Sequence, residues 1–458
     1  MAGKISAFFG AQDMTRGNPA GNLIRFSVPL LIGNLAQQLY STVDSIVVGQ
    51  YVGDGALAAI GASGPILNLL LVLFIGVSVG ASIMVSQYFG AKDKKRLSDS
   101  VGTAITATVV SSAFITAIGP LVTGWSMSLL QTPADIYDMA CDYLAILLLG
   151  IVGSAFYNIL SGILRGLGDS VMPLLFLIIA CGLNVVLDIW FVASFRMGVA
   201  GAAWATIISQ AVSGALCLIR LLLMRDILHV RLRSLWPSRE LLSQLVRLGL
   251  PSGLTQAIFS MAMIVVQSLT NSFGTTIIAV STVVMRVDGF AMMPNFTFGT
   301  AMTTFTGQNI GAKRLDRVEK GTKDGMKIGL VVSVILVAMI LLFGRYLVEM
   351  FTSTPDVIRL SVHMMQILAV GYVAMAVTQS LSGVMRGAGD TMTPMWISMI
   401  TTIVIRVPIA YGLAAWLQSP DALFISMLVS WVMGAVLTVL AYRMGRWKRK
   451  SVISREAV

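Results

Sequence analysis

Ser161–Pro173, SGILRGLGDSVMP, returns 221 residues later as Ser382–Pro394, SGVMRGAGDTMTP. A second copy at a fixed spacing makes the chain one module built twice. Gln87–Lys92 (QYFGAK) recurs at the same spacing as Gln308–Lys313 (QNIGAK). Leu23–Pro29 (LIRFSVP) is matched one residue further on by Leu245–Pro251 (LVRLGLP). Duplication in so apolar a chain is the mark of a membrane transporter made of two related bundles.

The composition excludes most alternatives. Of 458 residues, 56% are hydrophobic and 12% charged, against roughly 25% charged in a soluble protein. Twelve apolar stretches are long enough to cross the hydrocarbon core. They lie near 24–50, 56–86, 98–125, 136–163, 170–194 and 198–223, then near 244–272, 276–306, 322–346, 356–384, 392–416 and 421–443. The predicted fold is an all-α polytopic membrane protein of two six-helix bundles. An even number of spans per repeat relates the bundles by a pseudo-two-fold axis along the membrane normal.

The formal charge of +11 reads as orientation. With both termini inside, 27 of the 32 Lys and Arg fall on the cytoplasmic side. Arg196, Arg345 and Arg359 face out, and Arg286 and Arg406 lie within spans. No basic domain stands apart from the membrane, so nucleic acid is not an expected partner, whereas anionic lipid is. The expected organisation is a polar lead-in over 1–22, with no cleavable leader, and a first bundle over 23–223. A linker over 224–243, a second bundle over 244–445 and a basic tail over 446–458 complete it.

Absences narrow the chemistry. There is no G-x-x-x-x-G-K-[ST] loop, so ATP is not expected to drive the chain directly. His229 and His363 are the only histidines, and Cys141, Cys181 and Cys217 are widely spaced. No enzyme centre, cofactor or structural metal is expected.

The buried acids are the specific signal. Asp44 lies roughly 20 residues into the first span and Asp188 roughly 16 into the fifth, at similar depth. A carboxylate near the bilayer centre costs about 3 kcal/mol on insertion scales. Each must pair, protonate, bind a cation or face water. Asn34, Gln37, Ser41 and Asp44 form a polar stripe, Asn184 and Asp188 share a helix face, and Thr206 enters at the same level from the sixth span. These oxygens suit Na⁺, and two neighbouring carboxylates could equally share a proton.

Three further features carry expectations. Arg286 and Asp288 form a second charged set, expected to be buried, two residues apart and so on different helix faces. Of 27 methionines, 19 follow residue 230. Met261, Met285 and Met292, with Arg286 and Asp288, are candidates for a substrate cavity, since thioethers adapt to several ligand shapes. The Arg and Asp of the repeated R-G-x-G-D turns are expected to pair between the halves. Gly76–Gly80 reads as close helix packing.

Taken together, Val43-Asp44, the two Gln-x-x-Gly-Ala-Lys copies, the two S-G-x-x-R-G-x-G-D junctions and Asn184–Asp188 (NVVLD) give a clear resemblance. Over nearly its full length the chain resembles the multidrug and toxic compound extrusion (MATE) family. That resemblance implies two bundles around a V-shaped cavity in a bacterial cytoplasmic (inner) membrane. It also implies antiport of H⁺ or Na⁺ against lipophilic, often cationic drugs, by a chain sufficient as a monomer. The ion site of the DinF-like branch maps onto Asp44, Asn184, Asp188 and Thr206, with Gln37 and Asn158 as neighbours. Another branch places acids mid-way along its seventh and tenth helices, where this chain has none. Two other readings are a flippase for lipid-linked sugars, which would need a cationic cavity, and a cation channel, which would need a filter.

Overall fold

The computed structural model describes residues 11–229 and 232–453, with every side chain there except those of Tyr40, Ser41, Val43–Ile46, Asp54, Leu57 and Leu232. All regular structure among the described residues is helical. The first repeat holds α1 (Pro19–Tyr51), α2 (Asp54–Gly90), α3 (Lys94–Leu129), α4 (Tyr137–Leu149), α5 (Ile151–Gly166), α6 (Val171–Asp188) and α7 (Gly198–Leu223). The second holds α8 (Arg239–Ser272), α9 (Thr275–Gly311), α10 (Leu315–Glu349), α11 (Pro355–Gly387), α12 (Met392–Met399), α13 (Arg406–Leu417) and α14 (Asp421–Arg443).

Among the described residues, ten segments are long and apolar enough to cross a membrane, and the pair α4–α5, bent by 50°, makes an eleventh. At about 1.5 Å per residue, the 33-residue α1 also exceeds the ~30 Å core and completes the expected twelve. The bend breaks what the sequence presents as one span. It falls at Gly150, where a Cβ would come within 2.4 Å of the Ile207 side chain on α7. A π-helical turn, Ile189–Ser194, extends α6, and a second, Ile400–Ile405, joins α12 to α13. Pro408 lies in the first turn of α13 and lacks the N–H that a continuous helix would need there.

The helices gather into two compact units whose edges differ from the sequence repeats. One holds Val28–Gly253 with the described residues up to Asp13, and the other Met14–Ser27 with Leu254 onward. The opening turns of α1 and α8 are therefore exchanged, each up to its proline, Pro29 or Pro251. Packing explains both exchanges. In the first unit α8 lies backbone to backbone on α2: a Cβ on Gly76 would meet the Gly249 carbonyl at 2.7 Å, and one on Gly80 the Leu245 carbonyl at 2.8 Å. In the second, Leu23 and Phe26 of α1 are fully buried, with Leu23 against Gly325 of α10. The lead-in is also tied down there. Met14 N–H donates to Gln308 Oε1 at 2.8 Å, and Arg317 donates to the Met14, Arg16 and Gly17 carbonyls.

The duplication persists in the backbone. Lys92 and Lys313 both have φ 58°, and Gly168 (88°) and Gly389 (95°) share the left-handed turn of the R-G-x-G-D junctions. Only glycine fits the first: a Cβ on Gly168 would meet the Gln12 carbonyl at 2.2 Å. The described contacts of Arg165, Asp169 and Asp390 correct the expected pairing, because all of them lie inside their own half. Asp169 Oδ1 accepts from Met172 N–H and Asp390 Oδ1 from Thr393 N–H, capping α6 and α12. Asp169 Oδ2 also takes Arg220 at 3.1 Å. Burial pushes the Asp169 carboxyl above its ordinary range, against the pull of the Met172 amide and Arg220. Arg165 instead donates to Ser161 Oγ and Ser78 Oγ. Close turns absorb these charges locally before they can reach across.

The α2–α8 contact yields a stability prediction. Gly80→Leu should cost about 1–3 kcal/mol or more by overpacking, whereas Gly61→Leu, on the same helix with nothing within 4 Å of its Cβ position, should leave stability unchanged. Thermal unfolding of the two purified variants in detergent checks this, and equal midpoints would contradict it.

Candidate functional site

Asn184 and Asp188 lie one turn apart on α6, and both are fully buried. Asp188 is the last α-helical residue before the π turn Ile189–Ser194. With its amide oriented to satisfy both neighbours, Asn184 donates to Asp188 Oδ2 at 2.6 Å and accepts from Thr206 N–H at 3.2 Å. Three of the expected residues thus meet between α6 and α7. Thr206 enters through its main chain rather than through the hydroxyl that the sequence suggested. The amide bonds the carboxylate without contributing a charge of its own. Outside the turn, Trp190, Phe191 and Phe195 stack with centroids 5.7–6.5 Å apart. Such rings are common where a span meets the interface.

The other expected members are placed differently. Asn158 is on α5, its amide donating to the Ser154 carbonyl at 2.8 Å and its own carbonyl accepting from Ser78 Oγ. It supports the α2–α5 contact. Gln37 is exposed on α1. Asp44 also lies on α1, but its side chain is outside the described residues.

In the second half the expected charged pair separates. Arg286 is exposed, which corrects its expected burial, while Asp288 is buried on α9. Tyr372 of α11, itself 1% exposed, donates its hydroxyl to Asp288 Oδ1. Met261 and Met285 are exposed, at 61% and 41%. Met292 is packed in the core with Val284, Val287, Ala291 and Tyr372, so it fills the helix interface instead of lining a cavity.

Sequence reading missed Tyr372, Asn295 and Ser333. Asn295 donates to the Tyr372 carbonyl at 3.3 Å and accepts from Ser333 Oγ at 2.9 Å, linking α9, α10 and α11. Asn295 follows Asp288 by seven residues, two turns along α9, and that spacing is its only cue; Ser333 and Tyr372 stand on other helices, where nothing in the sequence links them to the acid. Arg406, 3% exposed, donates to Ser430 Oγ through both Nε and Nη2.

Known proteins share this plan. The MatE family model matches residues 29–190 and again 251–412, one match in each half. The chain is 32% identical to the probable multidrug resistance protein YpnP of Bacillus subtilis (strain 168), covering 97% of this chain and 100% of that one. It is 26% identical to the probable multidrug resistance protein NorM of Thermotoga maritima, covering 95% of each. Among solved structures, an outward-facing multidrug resistance MATE family transporter of the MOP superfamily matches with a TM-score of 0.89 at 28% identity, over 95% of this chain and 97% of that one. A MOP superfamily transporter from Pyrococcus furiosus matches with a TM-score of 0.89 at 27% identity, over 96% and 98%.

Because Thr206 contributes its N–H, Thr206→Val should retain most efflux. Asn184→Leu removes the bridge and should lower efflux about tenfold, a loss of ~1.4 kcal/mol. Ethidium accumulation in everted vesicles separates the two, and the reverse order of severity would refute the assignment.

Proposed function

The chain belongs to the MatE family of multidrug exporters, and from that premise we propose that it drives drug export by taking up H⁺ or Na⁺ at a first-half site built on Asp188. The observation that carries this reading is a fully buried carboxylate inside a membrane-spanning helix, bonded by an equally buried amide on the same helix face. Asn184 and the Thr206 N–H fix its place, and the family resemblance assigns Asp44, a residue of α1, as the second acid.

The mechanism follows from charge. Ion entry from outside neutralises the acids, which removes their demand for polar surroundings and lets α1 and α6 repack. Drug held in the cavity then leaves outward, and release of the ion inward resets the protein. One charge moving down 100 mV supplies about 2.3 kcal/mol, and a tenfold gradient of a neutral drug requires about 1.4 kcal/mol. One ion per cycle is therefore sufficient for a neutral drug. The reading requires no covalent step, ATP or cofactor beyond the ion. It takes small drugs and lipophilic cations as substrates, lipid as surroundings and a single chain as the working form.

Asp188→Asn and Asp44→Asn should each insert normally and abolish gradient-driven efflux. Reconstituted protein given an H⁺ or an Na⁺ gradient separately identifies the ion. Full efflux by both variants would eliminate the site.

A further inference from the structure

The second half carries a buried acid that the mechanism above does not use. Asp288 is 9% exposed within the apolar cluster of Val284, Val287, Ala291 and Met292. Among the described residues, the Tyr372 hydroxyl is its single hydrogen-bond donor. Tyr372 is itself fixed. Its carbonyl accepts from Asn295, which is held by Ser333, and its ring packs on Trp431 of α14 with centroids 5.9 Å apart. Gly371 permits this contact, since a Cβ there would come within 2.4 Å of the Trp431 ring.

The geometry points to Asp288 as a second proton-carrying site, in the second half of the protein, with Tyr372 as its positioning residue. The charged and titratable groups around it are few. Tyr372 faces it from α11. Arg286, two residues along α9, is exposed. Arg406, from α13, is committed to Ser430, one residue before Trp431 on α14. α10 contributes the neutral Ser333.

The donor set selects the ion. Na⁺ would need several oxygens around it, but the Asn295 oxygen is occupied by Ser333 and its amide by the Tyr372 carbonyl. Among the described residues no group of three or more His, Cys, Asp or Glu side chains exists to hold a metal. A proton needs only the carboxylate. When it binds, Asp288 becomes neutral within its apolar cluster. When it leaves, the phenol remains as the one group addressing the charge. The tie between α9 and α11 thus changes strength with each proton.

The proposal depends on coupled export but not on Asp188, and the test separates the two. In proteoliposomes with ethidium as substrate, one unit of ΔpH and the potential clamped at zero, each coupled proton raises the steady-state ethidium ratio about tenfold. Asp288→Asn should lower that plateau about tenfold. A plateau equal to wild type, reached quickly or slowly, overturns the proposal, because a structural role alone changes the rate and not the plateau. An undisturbed plateau in Asp188→Asn would count against the first-half site and leave this measurement standing. If Asp288→Asn does not insert, Tyr372→Phe poses the same question: the pH midpoint of efflux should move, and an unmoved midpoint overturns the assignment.

Discussion

A carboxylate enclosed by membrane-spanning helices sets the terms for the rest of this structure. Hydrocarbon offers no water to solvate it, so its polar partners must come from the protein itself. Asp188 is held by Asn184, and Asn184 in turn engages a main-chain N–H nine residues into α7. The arrangement ties two helices together without supplying a positive charge. The bond fixes the geometry of the carboxylate relative to α7.

The two halves keep the same backbone and spend their charges differently. Left-handed residues recur at matching junctions, and Asp169 and Asp390 cap corresponding helices. Inside the spans the copies diverge. A π turn interrupts the fifth span of each half, with Asp188 immediately before it in one and Arg406 immediately after it in the other. Turn geometry depends on sterics at a few positions, so a duplicated chain retains it. Interior charge depends on function, so it can drift apart between copies.

Small residues do the packing that the hydrophobic effect cannot do in lipid, where tails are as apolar as leucine. The approach of α8 to α2 over Gly76, Gly80, Gly249 and Gly253 brings main chains together at distances no other side chain allows. These glycines also explain why the opening turns of α8 join the first compact unit. Helix exchange here is a consequence of shape.

The sequence by itself determined the span count, the duplication and the polar residues worth suspecting, because hydropathy and repeat spacing are local properties of the chain. It also made Asn184 and Asp188 legible as a pair, since four residues on a helix is one turn. It could not reveal that Thr206 contributes a main-chain N–H, or that Arg286 is exposed while Asp288 is buried against Tyr372. Nor could it separate Met292, in the core, from Met261, on the surface. Those outcomes depend on which helix face meets which neighbour, and helix rotation in a bundle is set by packing between segments far apart in the chain, as Asp288 and Tyr372 are at 84 residues. Only the tertiary structure decides that.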